Sequence, residues 1–218
     1  MSMTGITKKK HMSQGVKLNF INQSNDVNNS EVVIFQKNVV PGYEEIAVAW
    51  TVIQNCGQGD NHPFDYPFQS YVTAADSYGN YEPLLLANPG DAFQMVLNNS
   101  GDRLEAAGSA NSAQEIDVKN NLAQGSISAW IYKAGKPLAV KTNIVPGQMA
   151  AFNFKPTIFI GVASQVEEGE VMNSAIISQI NTEISLLGIA SADIIMTGGG
   201  AGTGSVPFQF TLQNVKMA

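Results

Sequence analysis

In Val16-Lys17-Leu18-Asn19-Phe20-Ile21, apolar Val16, Leu18 and Phe20 alternate with polar Lys17 and Asn19. Successive side chains of a strand point to opposite faces, so this two-residue period puts one face in a core and the other in water. A helix would need its apolar positions three and four apart.

Short runs of similar character recur along the chain. Strands are expected over Val32 to Phe35, Ile46 to Ile53, Phe68 to Thr73, Ala92 to Leu97, Gly125 to Lys133 and Leu138 to Ile144. They are also expected over Gln148 to Phe154, Thr157 to Ser164, Asp193 to Thr197 and Val206 to Val215. Turn residues punctuate them at Pro41-Gly42, Tyr78-Gly79-Asn80, Asn88-Pro89-Gly90-Asp91, Ser100-Gly101-Asp102, Gly135-Lys136-Pro137 and Pro146-Gly147. Regularly spaced short strands predict an all-β fold, a single β-sandwich of antiparallel strands with at most one short helix. One stretch stays open between a helix and a pair of short strands: Met172, Ile176, Ile180, Ile184 and Leu187 recur at helical spacing, but among poor helix formers.

Residues 12–218 are expected to form the one domain, since all-β domains reach this length singly. Met1 to His11 read as a vector tag or a disordered arm, because Lys8-Lys9-Lys10 lacks apolar periodicity and His11-Met12 is a common cloning remnant.

Composition narrows the function classes. Arg103 is the only arginine, Cys56 the only cysteine, and His11 and His62 the only histidines. Nucleophile–base pairs, transition-metal sites and phosphate clamps draw on these residue types, so the expectation is a protein that is not an enzyme and holds no metal or cofactor. Charged residues make up 14% of the chain, against the roughly 25% usual in soluble proteins. An amide-rich, weakly charged surface suits self-association or carbohydrate contact. The net charge of -6 argues against nucleic acid, whose phosphates need clustered lysine or arginine. A lone cysteine permits no internal disulfide, and no signal peptide or apolar run of spanning length is recognisable, which points to the cytoplasm and leaves non-classical export open.

Four stretches hold candidate chemistry. Cys56, Asp60, His62 and Asp65 bring a thiol, an imidazole and two carboxylates into one short segment, read as a polar loop or as a hydrolase's Cys56/His62 pair. Phe64, Tyr66, Phe68, Tyr71, Tyr78 and Tyr81 form the densest aromatic segment and mix with Asp, Asn and Gln. Rings stack on sugar faces while amides and carboxylates bond hydroxyls, so Tyr66, Tyr71, Tyr78, Asp60 and Asp65 are the candidate glycan ligands. Core packing of the same rings is the plainer alternative. Gly198 to Gly204 lacks the lysine of a phosphate loop and leads into a strand, so it reads as a loose connection. Glu167, Glu168 and Glu170 read as solvated carboxylates.

The ordered landmarks Asn19 to Ser24, Val33 to Lys37, Val48 to Trp50, Asn88 to Gly90 and Glu168 to Val171 resemble the RhiA-like proteins, bacterial proteins named for a rhizosphere-expressed product. The likeness runs from Leu18 to about Asn173, and Ser174 to Gly204 departs from it. The resemblance implies an abundant, population-density-regulated protein of undefined biochemical role, and supplies no catalytic residues. The expected function is therefore non-enzymatic binding or self-assembly as a homo-oligomer or larger array, with a carbohydrate-binding module as the alternative.

Overall fold

The computed structural model describes residues 15–28, 30–41 and 46–218. In chain order the first strands are β1 (Gly15–Asn22), β2 (Glu31–Phe35), β3 (Ile46–Ala47), β4 (Thr51–Ile53), β5 (Asn61–Pro67) and β6 (Ser70–Ala75). Next come β7 (Leu85–Ala87), β8 (Asp91–Asn98), β9 (Gly101–Ser109), β10 (Ile116–Asn120), β11 (Ile127–Lys133), β12 (Lys136–Ile144) and β13 (Met149–Phe152). The chain ends with β14 (Thr157–Ala163), α1 (Ser174–Gln179), β15 (Thr182–Ser185), β16 (Ile189–Gly199), a 3-10 turn at Gly202–Gly204 and β17 (Val206–Met217). Among the described residues α1 is the sole α-helix and has six residues, so the fold is all-β and sandwich-like.

Four sheets form. Sheet I has the order β17-β16-β1-β5, sheet II β13-β10-β8-β9, sheet III β3-β12-β11-β6-β7 and sheet IV β15-β14-β2-β4. Pairing is antiparallel except between β1 and β16 and between β8 and β10, which run parallel. The main core draws on all four sheets: Leu18 and Phe20 of β1, Ile34 of β2, Phe93 of β8, Ile131 of β11 and Ile160 of β14 all enter it. A smaller cluster lies on the other face of β2, where Val33 and Phe35 meet Ala49, Val166, Met172 and Ile180, with Ile176 and Ile177 of α1 against it. Both faces of β2 are thus covered, which is why Val32-Val33-Ile34-Phe35 is a continuous apolar run rather than an alternating one.

Several expectations are redrawn. Ile46 to Ile53 is not one strand: Val48, Ala49 and Trp50 are all buried, and Ala47 and Ala49 bond to a returning segment through Ala49 N to Glu170 O and Met172 N to Ala47 O, both 2.9 Å. The open stretch after Met172 resolves into one helix and one strand, α1 and β15. Asn173 caps that helix, its Oδ1 accepting from Ile176 N at 2.9 Å. Strands β5, β7, β9 and β10 lie outside the expected set. Most lack the apolar signal: β5 carries Pro63 and Pro67 and is an edge strand, and β9 buries only Leu104.

Gly198 to Gly204 is more constrained than a loose connection. Gly198 and Gly199 belong to β16 and adopt φ of +93° and +76°. A Cβ on Gly198 would lie 2.2 Å from Pro207 O, so the hairpin needs the missing side chain.

The amide richness expected of the surface is partly internal. Asn22, Gln36, Asn38 and Asn120 are buried. Asn120 donates from Nδ2 to Gly125 O and Ile144 O at 2.9 and 2.8 Å and accepts from Leu122 N at 3.0 Å, serving backbone at and beyond the strand ends.

Candidate functional site

The Cys56 to Asp65 segment is a turn leading into an edge strand. Gly57 N donates to Asp60 Oδ2 at 3.0 Å, and Asn22 Nδ2 donates to Cys56 O at 2.7 Å, so Asp60 and Asn22 serve the turn itself. Cys56 is a free, buried thiol in the main core. Burial, and then the nearby Asp60 carboxylate, push its pKa up, the opposite of what a nucleophilic thiolate requires. On β5, His62, Phe64 and Tyr66 stand opposite Phe20, Leu18 and Val16 of β1 and share their core-facing side. Asp65 lies on the other face opposite Lys17, exposed.

The candidate glycan ligands are therefore dispersed. Tyr66 is buried in the core, edge-on to Trp50 at 5.8 Å between ring centroids. Tyr71, on β6, faces away from the core beside Tyr132 of β11, and its hydroxyl donates to Gln69 Oε1 at 3.0 Å. With Tyr81 and Trp130, whose ring centroids are 6.2 Å apart, these two form an aromatic strip on the outer side of sheet III. Burial and the Tyr81 phenol raise the pKa of Tyr132. Trp130 and Tyr132 went unnamed in the sequence reading, although alternation from Ile127 already places them opposite the core-facing Ala129 and Ile131.

Tyr78 is 89% exposed. It lines a cleft of about 450 Å³ together with Asp76, Ser77, Leu97, Asp102 and Gln124. Asp76 shapes that rim: its Oδ1 accepts from Tyr78 N and Asn80 N at 2.8 and 2.9 Å, and its Oδ2 from Asn80 Nδ2 at 2.8 Å. The Asn80 bonds chiefly hold its carboxyl below the usual range.

Lys133 is the side chain the sequence reading passed over. Strand β11 buries Ile127, Ala129, Ile131 and Lys133 on one face, so the same alternation that found the strand carries a lysine into the core. Its Nζ donates to Pro67 O at 2.9 Å and Phe68 O at 3.4 Å and stands over the Tyr66 ring. Burial pulls its pKa down to about 8 and pushes the Tyr66 phenol up to about 12. Trp50 Nε1 donates to Lys133 O at 2.9 Å, fixing the backbone end as well. Lys133, Tyr66, Phe68, Phe152 and Phe154 line a cavity of about 140 Å³.

The glutamates after Val166 are partly employed: Glu168 pairs with Lys136 at 2.8 Å, and Glu170 Oε2 accepts from Glu167 N at 3.1 Å. Among the described residues no group of three or more His, Cys, Asp or Glu could hold a metal, and no helix is long and apolar enough to cross a membrane. Met1 to His11 lie outside the described residues. Comparison with protein-family models, curated proteins and solved structures finds no match for this chain.

Proposed function

We propose that the chain is a non-enzymatic, self-assembling protein of RhiA-like type whose contact is the free edge of β17. The observation that carries this reading is the stretch Gln209-Phe210-Thr211-Leu212-Gln213. Strand β17 has twelve residues and, among the described residues, lies at the end of sheet I and pairs only with β16. Natural edges are shielded by shortness, charge, proline or bulges. Here Pro207 guards one end, Lys216 is the only charged residue, and pairing with β16 runs without a register break from Gln209 to Gln213. The stretch is close to a palindrome. A second copy laid antiparallel about Thr211 sets Thr211 against Thr211, Phe210 against Leu212 and Gln209 against Gln213. No like charges meet, inner-face residues meet inner-face residues, and the two-fold contact joins two four-stranded sheets into one.

Mass measurement over a wide concentration range tests this. The wild type should form dimers or larger species, Thr211→Lys should be monomeric, and an equimolar mix of Thr211→Lys with Thr211→Glu should reassociate. A monomeric wild type, or a Thr211→Lys chain that assembles unchanged, would refute it.

A second reading, glycan recognition, is supported by the Tyr78 cleft alone, where an exposed ring adjoins Asp76, Asp102 and Gln124. Binding on a glycan array that Tyr78→Ala abolishes would establish it, and a blank array would remove it.

A further inference from the structure

We propose that the cavity beside Lys133 is a binding site for a small carboxylate with a short or flat apolar body. Four aromatic side chains, Tyr66, Phe68, Phe152 and Phe154, line it beside the aliphatic Ile116 and two prolines, and Ser70 and Gln114 add a hydroxyl and an amide. One cation is set into that lining. Lys133 is 4% exposed and, among the described residues, its ammonium meets no carboxylate; its partners are the Pro67 and Phe68 carbonyls and the face of Tyr66. A lysine ammonium has three N–H donors. Two of them go to the Pro67 and Phe68 carbonyls, and among the described residues the third meets no oxygen acceptor. A buried charge is costly unless a counter-charge accompanies it, and here a ligand would provide that counter-charge. The two carbonyls and the ring are neutral, so they leave the ammonium's charge without a counter-charge.

Size limits the ligand further. A dry cavity of roughly 150 Å³ accepts benzene, so the apolar part of the ligand must be a single ring or a chain of a few carbons. Phe68 is half exposed and lines the same cavity, which leaves a route in from solvent. At neutral pH the ammonium retains its proton, because its pKa is lowered only to about 8. The plainer role for Lys133 is to tie the turn between β5 and β6 to the end of β11, and the experiment separates the two.

Calorimetric titration of the full chain at pH 7 with benzoate and butyrate, and with neutral benzyl alcohol and butanol, tests the proposal. At least one carboxylate should bind with one-to-one stoichiometry, and its neutral counterpart should bind about tenfold more weakly or not at all, the usual size of a lost charge-assisted hydrogen bond. Lys133→Met should remove that preference. Should this variant fail to fold, lysine-methylene NMR of the wild type serves in its place: the resonance next to Lys133 Nζ must shift on saturation with the carboxylate and not with the alcohol. Failure of all four probes to bind, equal affinity for acid and alcohol, or an unmoved Lys133 resonance would overturn the site and leave Lys133 as a structural tie.

Discussion

The Lys133 ammonium stands 4.6 Å from the centroid of the Tyr66 ring, and both side chains are buried. Their titrations pull stability in opposite directions. The folded pKa of Lys133, about 8, lies below its ordinary value of 10.5, so between those values the unfolded chain holds a proton the native chain has released and stability rises with pH. Tyr66 keeps its proton to about 12 against an ordinary 10, so above pH 10 the native chain holds the extra proton and stability falls. Urea unfolding at stepped pH should show a rise on the order of 2–3 kcal/mol from pH 8 to 10 and then a decline. Lys133→Met should lose the rise and retain the decline. A wild-type profile flat between pH 8 and 10 would contradict the buried cation.

Gly161 of β14 has no room for a side chain, because a Cβ there would lie 2.9 Å from both Cγ atoms of Ile180. Gly161→Ala should therefore cost about 1–3 kcal/mol by overpacking the smaller cluster. Ile180→Ala, destabilising alone, should cost less in the Gly161→Ala background. Additive effects in the double-mutant cycle would show that α1 moves aside freely.

Two glycines of the β16–β17 hairpin should behave differently. Gly198→Ala combines φ of +93° with a collision on Pro207 O and should cost on the order of 2 kcal/mol or more. Gly204 has nothing within 4 Å of a built Cβ and no positive φ, so Gly204→Ala should change stability by no more than about 0.5 kcal/mol. A Gly198→Ala loss no larger than that of Gly204→Ala would mean that the contact with Pro207 and the positive φ do not constrain this hairpin.

Cys56 should react slowly with iodoacetamide in the folded protein and readily in urea, since burial and Asp60 both disfavour its thiolate. Cys56→Ala and His62→Ala should leave assembly unchanged. Rapid labelling of the native thiol would revive the hydrolase reading.

The alternation in Val16 to Ile21, the apolar run Val32 to Phe35 and the period through Lys133 are local, and so the all-β class was legible in the residues alone. Burial on one face or two is written directly into the order of side chains. Other features depended on partners distant in sequence. Strand β5 has two prolines and a weak pattern, and it is a strand because β1 offers it an edge. Val48 to Trp50 resemble part of one long strand, but Val48 and Ala49 pair with the segment after Glu168 instead. Tyr66 and Tyr78 looked equivalent in the sequence; one packs on Trp50 and the other stands in solvent. Lys133 was marked as core-facing by its own strand, but only the packing of β5 of sheet I and β13 of sheet II against β11 decided that carbonyls, a ring and a cavity, rather than a carboxylate, would surround its charge. Side-chain period is a property of neighbouring residues, whereas an electrostatic environment belongs to whichever distant segments fold against it.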